Sequence, residues 1–194
     1  MPEDNRDPRT LRALAHPLRW KLIDLLVSKR TATATQCADE LGESVASCSY
    51  HLRILAKYGY TEQAPGGRGR EKPWQLTSVE QNLSGAGLGP DGRLAAQAAT
   101  EVFLDHELAR LKERVRREGD EPQDWREATA LAGVTTSLTV EELREVSTAL
   151  QEIALRHAER ATDRSTIPPD AREVRIFAAT SIAPAPHLPR DHDH

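Results

Sequence analysis

The stretch that most restricts how this chain can fold runs from Thr33 to Lys57, where two helix-forming segments flank the break Gly42-Glu43-Ser44. In the first, Cys37, Ala38 and Leu41 fall at spacings that share one face of an α-helix. Gly42 then supplies a residue free to take the left-handed conformation in which many helices end. In the second, Ser44 is a residue type that caps helix N-termini, and Cys48, Leu52 and Leu55 recur at helical spacing over Val45 to Lys57. Helices this short are marginal on their own. They must therefore pack on each other and on a further apolar surface.

The upstream sequence provides that surface. Asp7-Pro8 reads as an N-cap followed by proline at the first helical position. Leu11, Leu14, Ala15, Leu18, Leu22, Leu25 and Leu26 then repeat with the period of an amphipathic helix. Pro17 lacks an N–H, so a kink or break is expected near His16-Pro17. Downstream, Tyr58-Gly59-Tyr60 ends the last helix. Thr61 to Ala64 and Lys72 to Thr77 read as short strands joined by the glycine-rich tip Pro65-Gly66-Gly67-Arg68-Gly69-Arg70. Three helices followed by a basic hairpin describe a winged helix-turn-helix over residues 1–78. Residues 79–92 read as a linker, at whose start Thr77 and Glu80 have capping-box spacing for a short helix.

The rest of the chain is read as a mainly helical region over 93–183. Leu94, Ala98, Val102, Leu104, Leu108, Leu111 and Val115 are expected to form the apolar stripe of a long helix from Arg93 to Glu118. Trp125 falls on a short helix. Thr139 and Glu142 form a capping box before a helix whose Leu143, Val146, Leu150, Ile153 and His157 alternate three and four apart, as in a helix that packs along another helix. Val174 to Ala179 reads as a late strand, and 184–194 as a disordered, proline-containing tail. The fold class is thus mainly α with a small β wing, closing on a helical dimerisation or regulatory region that ends in a short strand.

Charge divides along the same line. The 194 residues carry a formal net charge of −4, but residues 1–78 hold 12 Lys+Arg against 9 Asp+Glu, and the remainder hold 14 against 21. A basic first part and an acidic second part point to different partners for each. No run approaches the apolar length of a membrane span, and the polar start lacks the apolar core of a secretory signal, so a cytoplasmic location is expected, nucleoid-associated when DNA is bound. With only Cys37 and Cys48 present, a disulfide scaffold is not expected. No nucleophile elbow, P-loop, dinucleotide fingerprint or zinc-protease motif occurs, which argues against an enzyme and gives no cofactor.

Three segments carry a resemblance. Leu14-Ala-His-Pro-Leu-Arg-Trp-Lys-Leu-Ile-Asp-Leu-Leu26 resembles the opening helix of ArsR-type winged-helix transcriptional regulators. Ser49-Tyr-His-Leu-Arg-Ile-Leu-Ala-Lys-Tyr-Gly59 resembles their recognition helix, and Gly69-Arg-Glu-Lys-Pro-Trp74 their wing. The likeness covers residues 9–78; the second part is similar to a subgroup with a helical C-terminal extension. It implies a homodimer that binds operator DNA and represses by occluding a promoter, with an effector of unknown identity. Metal sensors of that family carry a Cys-x-Cys pair where this chain has Thr33 and Thr35, so no metal site is assigned. Asp105, His106 and His157 do not have a diagnostic spacing for the second kind of sensor.

The expected DNA-facing residues follow from the helix that buries Cys48, Leu52 and Leu55. Ser44, Val45, Ser47, Tyr50 and His51 lie on its outward face, with Arg53 toward the phosphate backbone. Arg68 and Arg70 at the hairpin tip, with Lys72 behind them, are candidates for phosphate or minor-groove contact. The competing reading is a winged helix used for protein assembly without DNA. It rests on Val45, Tyr50 and the sparse positive charge of this helix. An effector pocket is expected near Phe103, Trp125 and Ile153.

Overall fold

Proline divides the apolar N-terminal stretch into two helices. In the computed structural model, which describes residues 7–65, 72–78, 83–85, 87–161 and 163–182, α1 spans Pro8–Arg12 and α2 spans Pro17–Lys29. The residue before a proline is pushed out of the helical region, and His16 takes φ −151°, ψ 125°. Asp7 caps α1 by accepting from the Arg9 N–H at 2.8 Å. His16 caps α2 in the same way, its Nδ1 accepting from the Leu18 N–H at 3.2 Å.

The two helices read first from the sequence form with their expected ends. α3 (Ala34–Leu41) starts from a full capping box between Thr33 and Gln36 and stops at Gly42, φ 66°. α4 (Val45–Lys57) starts from Ser44, whose Oγ accepts from the Ser47 N–H at 3.1 Å. Leu14, Leu22, Leu26, Cys37, Cys48, Leu52 and Leu55 are fully buried and make one core shared by α2, α3 and α4. Strands β1 (Thr61–Gln63) and β2 (Trp74–Leu76) pair antiparallel with Thr61 opposite Leu76. Ala32 extends this sheet by a bridge to Trp74, exchanging backbone bonds of 3.1 and 2.8 Å. The hairpin is tied down by the Thr61 hydroxyl, which donates to the Leu52 carbonyl at 3.1 Å.

α5 (Pro90–Arg117) starts three residues earlier than Arg93 and, at 28 residues, is about 42 Å long. It turns inward a face that only partly matches the expected one: Val102 packs on the core as expected, but most of the expected stripe does not. Gly92, Ala95, Ala96 and Ala99 are buried, with Ala95 and Ala96 against Leu11 of α1. Leu94 at 63%, Leu104, Leu108 at 46% and Val115 at 52% are exposed. The reason is steric: small Ala95 and Ala96 let α5 lie close to Leu11 of α1, and Gly92 leaves room for Leu88 of the preceding turn, from whose Cβ a Cβ there would stand 2.6 Å. Farther along, Phe103 lies on Trp20 with ring centroids 4.8 Å apart. Trp20 is fixed in turn by its indole N–H, which donates to the Leu14 carbonyl at 2.8 Å. Beyond Phe103, His106 Nε2 meets Asp24 Oδ2 of α2 at 2.6 Å, and Arg110 pairs with the same oxygen. A 3₁₀ turn (Glu118–Asp120) and the short helix α6 (Gln123–Glu127), which carries Trp125 as expected, complete this part.

The chain divides into two units, Met1–Ala130 and Leu131–His194, so the boundary lies well beyond the expected linker. The interlock of α5 with α1 and α2 accounts for it. In the second unit α7 (Val140–Leu155) starts from the expected box: Thr139 Oγ1 accepts from the Glu142 N–H at 3.2 Å, and Glu142 Oε2 accepts from the Thr139 N–H at 2.7 Å. Two 3₁₀ turns follow. The strand expected over Val174 to Ala179 does not form. Residues 171–182 have no regular structure and no ladder partner among the described residues, and a strand needs a neighbour for its backbone groups. Glu80 of the expected linker capping box and the tail 184–194 lie outside the described residues.

Candidate nucleic-acid interface

Everything that presents α4 to the outside follows from its two faces. The inner face, Cys48, Leu52 and Leu55, is locked into the core, and Ser44 holds the first turn. The opposite face is led by Val45 at 43% and Tyr50 at 58% exposure, with Arg53 exposed one turn further and Ser47 half-buried. The Ser44 oxygen accepts from the backbone, which leaves its hydroxyl proton free in direction to donate outward. Lys57 closes the helix over the Tyr58 ring, its ammonium 5.4 Å from the ring centroid. Lys72 is exposed at the foot of the hairpin. Arg68 and Arg70, the other two expected contacts, lie outside the described residues.

His51 is a correction to the expected outward set. It is only 8% exposed, and its ring faces inward to the N-terminus of α2. Its Nδ1 accepts from Arg19 Nε at 3.2 Å, the His16 ring lies 4.2 Å away at 40°, and the Tyr50 ring meets it edge-on at 5.1 Å. Arg19 Nη1 also donates to the Ala13 carbonyl at 2.7 Å. The guanidinium thus bridges the end of α1 and the middle of α4. Burial lowers the pKa of both histidines below the ordinary value. The His16 ring and Arg19 add to this for His51, Arg19 adds to it for His16, and Glu43 opposes it for both. Both rings are neutral at neutral pH. A signal for this was present in the sequence: position 51 is three residues after Cys48 and four before Leu55, on the buried side of the helix. Arg19 carried no comparable signal.

The two cysteines are inward, as their spacing required. Burial is the main reason the Cys37 thiol is pushed up to about 11, with Cys48 beside it as a second cause. Burial raises Cys48 as well. Neither offers a thiolate to a soft metal at neutral pH. His106, one of the residues considered for metal, is engaged with Asp24. Phe103, expected near an effector pocket, is instead packed on Trp20. It and Trp125 belong to the first unit and Ile153 to the second.

Among the described residues no helix is long and apolar enough to cross a membrane. Residues 14–59, which run from the turn before α2 to the end of α4, match a family described as a helix-turn-helix domain. No curated protein is significantly similar to the chain. The chain therefore carries a helix-turn-helix in which α3 and α4 are the paired helices. With β1 and β2 behind it, the fold is a winged helix-turn-helix followed by further helices.

Proposed function

We propose that the chain is a sequence-specific DNA-binding transcriptional regulator of the ArsR type, a cytoplasmic repressor that acts as a homodimer. The observation that carries this reading is α4 itself. It is a capped helix of 13 residues, about 20 Å long. It is buried on one side and presents Ser44, Val45, Ser47, Tyr50 and Arg53 on the other. A helix so mounted fits a major groove, with its early residues at base edges. In this reading Val45 and Tyr50 supply apolar contact to thymine methyls. Arg53 and Lys72 engage phosphates, with Arg68 and Arg70 reaching the backbone or minor groove beside the site. The homodimer is supported by the row of exposed Leu104, Leu108 and Val115, with half-buried Leu111 among them, on the half of α5 beyond Phe103, which is spaced as one seam of a helix pair. Two copies at two half-sites give the discrimination that one small module lacks.

The test is the salt dependence of duplex binding by the full-length chain. Each neutralised phosphate contributes a slope of about −0.9 in log K against log salt. Replacing Arg68 and Arg70 by alanine should flatten that slope by up to about two phosphates' worth per protomer, about four for the dimer, and leave dimerisation intact. Duplex binding by the double variant equal to that of the parent removes the wing from the interface. The exposed Val45 and Tyr50 beside only Arg53 and Lys57 also favour a second reading, a protein-assembly surface, which predicts no salt-sensitive DNA binding at all.

A further inference from the structure

We propose that His16, Arg19 and His51 form a positioning cluster that holds α4 and Tyr50 in the DNA-reading geometry only while both rings are neutral. This deepens the DNA-binding reading and rests on it.

The geometry makes the cluster sensitive to a single proton. A neutral imidazole has one nitrogen that donates and one that accepts. In both rings the accepting nitrogen is Nδ1, and in both it is occupied: His16 Nδ1 takes the Leu18 N–H that caps α2, and His51 Nδ1 takes Arg19 Nε. A proton from solvent can therefore enter only where a hydrogen bond already ends. Once it has done so, an N–H faces an N–H, and the bond that ended on that ring is lost. The rings are also 4.2 Å apart, so protonating one places a cation beside the other.

The surroundings do not compensate. Arg19 from α2 is already a cation against His51, and its Nη1 is committed to the Ala13 carbonyl. From the turn between α3 and α4, Glu43 favours protonation of both rings, but it is shared with Lys21 at 4.0 Å. From α4, the Tyr50 ring meets His51 edge-on, and Tyr58 faces Arg19 from the end of the same helix. The balance of these groups opposes protonation. The Tyr50 ring meets His51 edge-on and is itself 58% exposed on the outer face of α4, so movement of His51 is passed to that face.

This inverts the ordinary behaviour of histidines at a DNA surface, where protonation adds a positive charge and strengthens binding. Here acidification should weaken it. The pKa of each ring is lower in the folded state than in the unfolded one. The stabilisation is therefore complete above the ordinary histidine value of about 6.5 and lost as pH falls below it toward the lowered native value.

The experiment measures affinity of the full-length chain, at constant salt from about pH 8 to about pH 5.5, for a duplex recovered on it from a random-sequence pool. Helix content is followed by circular dichroism. The parent should lose affinity by about tenfold while remaining folded, the scale of one hydrogen bond from a charged donor. His51→Gln keeps an acceptor for Arg19 without titrating, so its affinity should match the parent at the upper pH and stay flat. His16→Asn keeps the cap and should be flatter than the parent. Affinity of the parent that is constant or rises on acidification overturns the cluster, as does His51→Gln that keeps the parent's pH profile. Absence of salt-sensitive binding at the upper pH instead overturns the DNA reading, and the positioning role with it. Proton NMR separates the two: the Tyr50 ring signal should follow the titration of His51 without DNA, and a Tyr50 signal indifferent to it refutes the coupling.

Discussion

Replacing Asp24 by asparagine should loosen α5 from α2 and lower stability by about 1–2 kcal/mol. Asp24 Oδ2 meets both His106 Nε2 and Arg110 across that contact. Burial alone would raise its pKa. The His106 hydrogen bond and the Arg110 charge outweigh that and hold the carboxyl below its ordinary value. A hydrogen bond to a charged group is worth about 1.5–3 kcal/mol. The side chains are 27% exposed for Asp24, 14% for His106 and 34% for Arg110, so solvent screening reduces the figure toward the lower end. A domain of this size shifts by about 4 °C in Tm per kcal/mol, so thermal and urea unfolding of the full-length chain both resolve the change. The pH dependence supplies a second arm. A carboxyl lowered in the folded state stabilises above its unfolded value of about 3.9, and that contribution fades as pH falls through the native value. The parent and Asp24→Asn should therefore converge in strong acid and separate as pH rises. Arg110→Gln should cost less alone and add little to Asp24→Asn, because both act on one oxygen. A variant as stable as the parent at neutral pH, or costs that simply add, would show that the triad contributes nothing to docking α5.

Three further outcomes follow. Leu52→Ala, deep in the core, should cost about 2–5 kcal/mol by chemical denaturation, because a fully buried leucine leaves a cavity that α2 and α3 cannot fill. Ser44→Ala should cost about 1 kcal/mol of stability and weaken duplex binding, whereas Ser44→Gly should cost only a few tenths; equal losses for both would remove the cap from the explanation. Leu108→Glu should leave the melting of the monomer unchanged, since the residue is exposed, but should dissolve the proposed dimer in sedimentation measurements. Dimers that persist at the parent's concentration dependence would move the interface off α5.

Legibility in the sequence varied with how local the determining physics was. The bounds of α3 and α4 were readable because Thr33, Gly42 and Ser44 each act on a backbone group within four residues of themselves. The break at Pro17 was readable for the same reason. The inner face of α5 was not, because two faces of that helix look alike to a count of apolar residues. Most of the larger side chains lie on the exposed face, while the part that docks on α1 is the alanine pair Ala95 and Ala96, chosen by how closely α1 can approach, and only Val102 and Phe103 further along bring larger side chains inward. The strand at 174–179 failed on a related point: alternation marks a segment able to pair but says nothing of whether a partner edge exists. His51 was misplaced because a polar ring was assigned to solvent by type, although its register with Cys48 and Leu55 put it inside.

The net charge of −4 gains meaning from the same contrast. In the first unit the cations that matter are few and most are spoken for: Arg19 by His51 and the Ala13 carbonyl, Arg110 by Asp24, Lys21 and Lys29 by Glu43 and Glu40. That leaves Arg53, Lys57 and Lys72 among the described residues near α4 and β2, with Arg68 and Arg70 on the hairpin between. A single copy with so small a set would bind DNA weakly and with a shallow salt slope. In the proposed homodimer, affinity then comes from pairing two modules at a fixed spacing, for which α5, held to α1 and α2 and carrying exposed Leu104, Leu108 and Val115 on its second half, is suitably built. The tight docking of α5 and the modest charge of α4 are thus two sides of one arrangement. In that proposed arrangement weak half-site contacts are useful only if the spacing between them is fixed, and the same weakness would let the small displacement of α4 proposed for a proton at His51 release the DNA.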